Sequence, residues 1–186
     1  MTRWIALEGG EGSGKSTQAR LLAASLDAVL TREPGGTPLG AALRSLLLDA
    51  DLPIEPRAEA LLMAADRAAH VASVVGPALA SGKDVVSDRS AWSSLAYQGY
   101  GRGLDVGELW RISDWAMEGR WPDLVVLLDV ASPYRDAAAD RIERAGADFH
   151  QRVCDGFLAL AAQHGWLVVD GAGTIEEVAD RIRKAV

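Results

Sequence analysis

The sequence predicts a three-layer α/β fold, in which a five-stranded parallel sheet is covered by helices on both faces. Short apolar runs alternate with longer amphipathic segments along the whole chain. The run at 123–129 is apolar on both faces, as a central parallel strand must be when helices cover it. The chain has 186 residues, and no repeat or long linker divides it, so we expect residues 1–186 to form a single domain.

Each predicted element follows from the pattern of its own segment. Strands are expected where the apolar runs are short, at 3–8, 27–31, 84–88, 123–129 and 165–169. Helices are expected where amphipathic segments are longer, at 15–26, 38–49, 56–81, 105–119, 133–143, 146–163 and 174–185. Glycine and proline clusters mark turns between them, among them residues 99–103 and 171–173.

Composition and charge exclude several classes of partner. The net charge of −7 argues against binding to nucleic-acid polymers and against a polybasic membrane surface. Asn is absent, so the chain lacks both the Asn-Lys-x-Asp element that reads guanine and any acceptor for N-glycosylation. The basic set comprises 16 Arg and 3 Lys. A small anionic ligand is therefore expected only where these cations gather.

The remaining compositional features predict a cytoplasmic protein. The single cysteine, Cys154, cannot form an internal disulfide and fits a reducing compartment. The first residues lack the pattern of a signal peptide, and the longest apolar run near the middle, at 124–128, is far too short to span a membrane.

The segment after the first predicted strand matches the phosphate-binding pattern G-x-x-x-x-G-K-[ST]. Its glycines let successive backbone N–H groups point at phosphate oxygens, and the following helix adds its positive dipole end. Lys15 would reach the β- and γ-phosphates, and the Ser16 hydroxyl would ligate Mg²⁺. The spacing does not fit a dinucleotide-binding motif, so we expect a nucleoside triphosphate. The expected ATP-binding residues are Gly9, Gly10, Glu11, Gly12, Ser13, Gly14, Lys15, Ser16 and Thr17.

Charged residues follow two other predicted strands. Arg32 comes after the strand at 27–31, Asp88 ends the strand at 84–88, and Arg89 follows it. These positions lie at the carboxyl edge of the sheet, where open α/β sheets bind ligands. Arginine can clamp two phosphate oxygens, while Asp88 stands where phosphate-loop enzymes hold Mg²⁺, directly or through water. Because the guanine-reading element is absent and 186 residues barely permit the further domains of a motor, a small kinase with a second pocket for an acceptor is favoured over a GTPase or a motor.

The chain resembles the thymidylate kinases in segments that are spread over nearly its whole length. The Arg-Glu-Pro-Gly-Gly-Thr loop combined with Ala-Tyr-Gln-Gly is specific to that family. Besides the phosphate loop, the segments include residues 31–37, 65–68, 88–89, 93–99 and 140–143. The resemblance implies a P-loop kinase fold with a short lid at about 131–145, and transfer of the γ-phosphoryl group of ATP to dTMP with Mg²⁺ as cofactor. It also implies a homodimer.

The resemblance further implies roles for individual residues. Glu11 would bind the deoxyribose 3′-hydroxyl, Arg32 and Arg89 would hold the acceptor phosphate, and Arg67 would reach a thymine carbonyl. Ser94 and Gln98 would face the base, and Tyr97 would lie beneath the sugar, where a 2′-hydroxyl would clash. The implied dTMP-binding set is Glu11, Arg32, Pro34, Met63, Arg67, Arg89, Ser94, Tyr97 and Gln98. The implied catalytic set is Lys15, Asp88, Arg89 and Arg141, with Ser16 and Asp88 at the metal.

Three departures from the family pattern leave alternatives open. Met63 stands where the family usually has a stacking Phe, and it either fills the same pocket or changes base preference. Ser90 replaces an aromatic residue, whose bulk Trp92 could supply. The lid is short and offers only Arg135, Arg141 and Arg144, with Arg135 or Arg141 covering the transferred group. The other functions considered are a related nucleoside or nucleotide kinase and a regulator that binds ATP and dTMP but transfers slowly.

Overall fold

The computed structural model describes residues 2–130 and 140–186, and its sheet has the predicted five parallel strands. They are β1 (Trp4–Glu8), β2 (Val29–Arg32), β3 (Val85–Asp88), β4 (Leu124–Asp129) and β5 (Leu167–Asp170). The strand order is β2-β3-β1-β4-β5, and all neighbours pair in parallel. Because β1 is central and β3 separates it from β2, the segments that follow these three strands meet at one edge of the sheet.

Helices cover both faces of this sheet. They are α1 (Lys15–Leu26), α2 (Pro38–Leu48), α3 (Pro56–His70), α4 (Gly76–Ala80), α5 (Ala91–Ser94), α6 (Val106–Ala116), α7 (Ala147–His164) and α8 (Ile175–Ala185). A π-helical turn, Val71–Val75, joins α3 to α4, so the helix predicted at 56–81 continues with one wide turn. None of the helices in the described ranges is long and apolar enough to cross a membrane.

Alternate residues of β4 pack into different hydrophobic clusters, which gives the molecule three layers. Val126 and Leu128 pack with residues of α1 and α8, including Leu22 and Ile182. Val125 and Leu127 pack into the other cluster, with residues of α7 such as Phe157. Successive strand side chains point to opposite faces, so a strand with helices on both sides must be apolar throughout. The prediction drawn from 123–129 is confirmed.

The glycines at 99–103 predict a turn, and this prediction is wrong for most of the segment. The chain continues from α5 into a π-helical segment, Leu95–Gly101. Gly101 permits close packing against α7, since a Cβ there would lie 2.6 Å from the Phe149 ring. A Cβ on Gly99 would likewise lie 3.0 Å from the Val106 side chain. These two glycines therefore allow close packing of helices, and the turn begins only at Arg102.

The helix predicted at 133–143 lies largely outside the described residues, as does Arg135. Its described end is not α-helical: residues 140–142 form a turn, and a short 3₁₀ helix follows, Glu143–Ala145. The Asp140 carboxylate accepts hydrogen bonds from the backbone N–H groups of Ile142 and Glu143, each at 2.9 Å. An aspartate that bonds the backbone in this way competes with helix formation.

Candidate active site

The phosphate-binding loop joins β1 to α1, and its glycines occupy positions that other residues could not. Gly14 has a φ of 86°, in the left-handed region that glycine adopts without strain. A Cβ on Gly9 would lie 2.7 Å from the Leu128 carbonyl oxygen. The buried Lys15 ammonium donates hydrogen bonds to the Gly10 carbonyl at 2.6 Å and the Ser13 hydroxyl at 3.1 Å. The loop thus has the tight curvature needed to surround phosphate oxygens.

Ser16 and Asp88 lie together, as expected of a magnesium site. The Ser16 hydroxyl donates a hydrogen bond to the Asp88 carboxylate. Both residues line one cavity with the phosphate loop, which we call the triphosphate cavity; its other lining residues include Glu11, Gly12, Lys15, Thr17, Arg32, Arg44 and Arg89. A hydroxyl and a carboxylate beside a triphosphate site are the oxygen donors that Mg²⁺ takes together with phosphate oxygens. The residues present fit this metal.

A second cavity, which we call the acceptor cavity, is lined by nearly all of the residues predicted to bind dTMP. These are Glu11, Pro34, Met63, Arg67, Arg89, Ser94, Tyr97 and Gln98. Arg32 lines the triphosphate cavity instead. Lining residues that sequence reasoning did not single out for binding are Glu33, Arg44, Leu48, Asp66, Ser90, Ser93, Asp140 and Ile142. Four residues line both cavities, namely Glu11, Glu33, Arg44 and Arg89.

Arg89 lies at the junction of the two cavities and is held on several sides. Its guanidinium donates to the Glu11 carboxylate at 2.5 Å, to the Tyr97 hydroxyl at 2.9 Å, and to the Gly9 carbonyl and the Ser93 hydroxyl at 3.1 Å each. Burial alone would raise the pKa of Glu11, but the charges of Arg89 and Lys15 lower it to about 2. Glu11 is therefore an ionised partner for Arg89.

The backbone of Arg89 is strained, with a φ of 71° for a residue that carries a Cβ. The buried Glu8 carboxylate, at the end of β1, holds the next turn of chain. It accepts hydrogen bonds from the Ser90 N–H at 2.8 Å, the Ser90 hydroxyl at 2.7 Å and the Ser93 hydroxyl at 2.6 Å. Burial raises the pKa of Glu8 to about 7, although the two serines and Arg89 oppose this. Glu8 thus fixes the segment from which the Arg89 side chain starts.

Ser90 donates hydrogen bonds to Glu8, and Trp92 does not supply the aromatic bulk expected at this position. The Trp92 ring is buried in an aromatic cluster, with ring centroids 5.2 Å from Trp110, 4.7 Å from Trp121 and 4.9 Å from Trp166. Trp92 is not among the residues that line the acceptor cavity. The expectation that Trp92 could take this role is corrected: its side chain belongs to the hydrophobic core that it shares with Trp166 and with residues of α6 and α7.

Arg67 is almost fully buried, at 2% exposure, and its guanidinium is oriented by contacts from different elements. It donates to the Glu33 carboxylate at 3.1 Å, to the Ser94 hydroxyl at 2.9 Å and to the Ser113 hydroxyl at 3.2 Å. Glu33 also bonds the His70 ring at 2.8 Å. Burial would raise the pKa of Glu33, but the Arg67 charge and His70 lower it. This network holds one face of Arg67 toward the acceptor cavity.

Arg44 is the main cation that sequence reasoning missed. It lies on α2, the helix that follows the Arg-Glu-Pro-Gly-Gly-Thr loop. Its guanidinium donates a hydrogen bond to the Pro34 carbonyl at 3.1 Å. Burial and the neighbouring charges of Arg32 and Arg89 lower its pKa, and all three arginines line the triphosphate cavity. Its position after Leu43 in an amphipathic helix looks like that of any surface arginine. No local signal distinguishes it.

Arg141 is bound to a buried carboxylate. It donates to Glu59 at 2.6 Å and to the Leu47 carbonyl at 3.0 Å. Glu59, which is fully buried on α3, also accepts from Gln98 at 2.6 Å and from Arg102 at 3.3 Å. Arg141, which lies in the predicted lid, is thereby joined to the wall of the acceptor cavity.

Comparison with known proteins gives a consistent result over almost the whole chain. The family model described as thymidylate kinase matches residues 7–182. The thymidylate kinase of Leifsonia xyli subsp. xyli is 51% identical over 193 residues, covering 97% of this chain and 92% of the relative. That of Halothermothrix orenii is 46% identical over 189 residues, covering 94% and 91%. The crystal structure of thymidylate kinase from Ehrlichia chaffeensis superposes with a TM-score of 0.85 at 32% identity, covering 99% of this chain and 98% of that one.

Proposed function

The chain belongs to the thymidylate kinase family and is an ATP-dependent kinase that converts dTMP to dTDP, and we propose that residues 1–186 act as one domain carrying both nucleotide sites. The observation that supports this proposal most directly is the pair of adjoining cavities. One is built on the phosphate loop, the other is lined by both apolar and polar residues, and Arg89 and Arg44 line both. The donor and acceptor phosphates would meet at these two arginines.

On the donor side, we assign the triphosphate of ATP to residues 9–17. The backbone N–H groups of the loop and the ammonium of Lys15 would bind the β- and γ-phosphates. Ser16 and Asp88 would hold Mg²⁺, which supplies positive charge to the β- and γ-phosphate oxygens when it is bound. Asp88 and Ser16 adjoin one another in the triphosphate cavity, so both could provide oxygen atoms to one ion.

On the acceptor side, the phosphate of dTMP is assigned to Arg89, Arg32 and Arg44. Glu11 would accept a hydrogen bond from the 3′-hydroxyl of the sugar, and the Tyr97 ring would exclude a 2′-hydroxyl. Arg89 links these two residues through the hydrogen bonds already described. Sugar and phosphate recognition would therefore share one network of polar groups.

The thymine base is assigned to the inner part of the acceptor cavity. Arg67 would donate to a carbonyl oxygen of the base, and Ser94 and Gln98 would face its polar edge. Pro34 and Met63 would supply the apolar surfaces of this pocket. Met63 would fill the position of the family's usual Phe, packing its thioether against the ring instead of stacking an aromatic face.

Transfer would proceed without a covalent enzyme intermediate. Arg89, Arg44 and Lys15 would bring two anions together and neutralise the charge that builds up between them, which is the main catalytic task in phosphoryl transfer. Arg141 is assigned to the transferred group from the lid side at about 131–145. To act there, its guanidinium would leave the Glu59 carboxylate that it binds at 2.6 Å.

A homodimer is also part of the proposal, and three neighbouring helices support it. Large apolar side chains are exposed there: Leu39 and Leu46 on α2, Leu61 on α3 and Trp115 on α6, the last at 83% exposure. Helix α3 packs against both α2 and α6. Exposed apolar surface of this kind is typical of an interaction site. A cytoplasmic location stays a prediction.

A coupled assay of ADP formation tests the proposed acceptor. We expect turnover with dTMP at least about tenfold above that with dUMP, dCMP, dGMP or thymidine. Preference for another monophosphate would favour the related kinase, and preference for thymidine would leave Arg89 and Arg32 without a phosphate to bind. Binding of ATP and dTMP without ADP formation would favour the regulator.

A further inference from the structure

Glu59 joins the wall of the acceptor cavity to Arg141 in the predicted lid, and each of its two carboxylate oxygens has its own main partner. Oε1 accepts from the Gln98 side-chain nitrogen at 2.6 Å, with Arg102 Nε at 3.5 Å. Oε2 accepts hydrogen bonds from Arg141 Nη1 at 2.6 Å and from Arg102 Nη2 at 3.3 Å. Glu59 is fully buried, so water does not compete for these bonds.

This arrangement fixes the orientation of the Gln98 amide. A carboxylate only accepts hydrogen bonds, so the group of Gln98 that faces Glu59 must be the NH₂ and not the oxygen. Gln98 lines the acceptor cavity and is 1% exposed. Its amide oxygen is buried and has no hydrogen-bond partner among the described residues. A buried acceptor without a partner is costly, and a ligand that donates a hydrogen bond would satisfy it.

We propose that Glu59 is a positioning residue for base selection: it holds Gln98 so that an acceptor, not a donor, is available to the nucleotide base. The inference rests on the proposed function and adds to it. A pyrimidine with an N3–H group, such as thymine or uracil, donates to that oxygen. Cytosine has a lone pair at N3 and would meet the Gln98 oxygen acceptor to acceptor. Glu59 touches no part of the substrate and acts through Gln98.

Glu59→Gln reverses this orientation in a defined way. The new side chain has one oxygen and one NH₂. Two arginines donate at the Oε2 position, so the oxygen takes that position and the NH₂ takes the place of Oε1, facing Gln98. Gln98 must then turn its own oxygen toward position 59 and present its NH₂ to the base. The volume of residue 59 hardly changes.

The test is kcat/KM for dTMP, dUMP and dCMP in the unmodified protein and in Glu59→Gln. We expect the dTMP to dCMP ratio to fall at least about tenfold, the effect of exchanging a matched for a mismatched buried hydrogen bond. The dTMP to dUMP ratio should stay within about twofold, since both bases carry N3–H and differ only in a methyl group. An unchanged dTMP to dCMP ratio, or an equal fall of both ratios, overturns the proposal.

Arg102→Gln is the matched control. It removes one ion pair from the same carboxylate but leaves the bond from Gln98 to Glu59 in place. We expect its dTMP to dCMP ratio to match that of the unmodified protein. A fall as large as in Glu59→Gln would mean that charge around Glu59, not the Gln98 orientation, sets the ratio. Failure of the unmodified protein to phosphorylate dTMP would instead count against the proposed function.

A second measurement decides the matter where Glu59→Gln does not fold. In ¹⁵N spectra of the unmodified protein, the Gln98 side-chain NH₂ signal is assigned by its loss in Gln98→Ala. We expect this NH₂ to exchange slowly with water, both alone and with dTMP bound, because it stays bonded to Glu59. Fast exchange, or an NH₂ shift on dTMP binding that matches a bond to the base, overturns the proposal.

Discussion

The Lys15 ammonium is buried, and its hydrogen-bond acceptors, the Gly10 carbonyl and the Ser13 hydroxyl, are neutral. We therefore expect nucleotide binding to depend on pH. Burial, with the charge of Arg89, lowers the pKa of Lys15 to about 7. Above that pH, the folded protein without nucleotide has largely lost the ammonium proton. Phosphates bound next to Nζ favour the charged form, so they raise the pKa and restore the proton.

ATP-analogue binding should therefore take up close to one proton at about pH 8.5 and distinctly less at about pH 6. Calorimetry in two buffers with different ionisation enthalpies measures this uptake. Lys15→Arg is the matched control, since arginine keeps its charge at both pH values; it should take up less. Zero uptake by the unmodified protein at the higher pH would contradict the assignment of Lys15 to the phosphates.

Arg141 binds the Glu59 carboxylate in the structure, whereas its proposed role is to contact the transferred phosphoryl group. If it covers the transferred group, Arg141→Ala should lower kcat by at least about tenfold while the KM for dTMP changes less than about threefold. Steady-state kinetics with dTMP varied at saturating ATP separate the two. An unchanged kcat would remove Arg141 from the catalytic set and leave it as a partner of Glu59.

Residue roles could be predicted where the signal is local. The phosphate loop was predictable because its glycines, Lys15 and Ser16 follow one another, and Asp88 because it ends an apolar strand. Glu8 and Glu59 were missed because their partners lie far away in the sequence, as with Glu8 and Ser90. Arg44 was missed because it resembles an ordinary arginine on an amphipathic helix. Sequence periodicity shows that such residues sit in a strand or helix, but not which buried group they meet.

At the scale of elements, the segment Ala91–Gly101 shows what local patterns cannot reveal. Its glycines suggest a turn, yet they serve close packing of the π-helical segment on α7. Gly101→Ala should lower the free energy of unfolding by about 1–3 kcal/mol, since its Cβ would lie 2.6 Å from Phe149 Cε2.

The measurement is chemical unfolding of Gly101→Ala in the unmodified background and in Phe149→Leu. The smaller side chain makes room, so Gly101→Ala should cost less in the second background. Equal costs in both would show that contact with the Phe149 ring does not explain the glycine. Strand positions, by contrast, could be predicted to within two residues, because apolar runs identify buried parallel strands directly.

At the scale of the whole molecule, the exposed apolar residues on α2, α3 and α6 predict self-association. Light scattering after size exclusion should give the mass of two chains for the unmodified protein. Leu61→Asp combined with Trp115→Asp should shift it toward the mass of one chain, because each places a charge in an apolar interface. Leu158→Asp changes an exposed leucine on α7 and should leave the mass unaltered. A single-chain mass for the unmodified protein would contradict the dimer.

The triphosphate cavity and the acceptor cavity meet at Arg89, and the proposed activity of the whole molecule depends on this junction. Calorimetric affinities for dTMP and thymidine, in the unmodified protein and in Arg89→Ala, test it most directly. Two charge-assisted hydrogen bonds to a phosphate predict that dTMP binds at least about 100-fold more tightly than thymidine. Arg89→Ala should weaken dTMP by a factor at least about tenfold larger than the factor by which it weakens thymidine, while the exposed Arg120→Ala changes neither. Equal weakening of both ligands by Arg89→Ala would contradict the assignment of Arg89 to the acceptor phosphate.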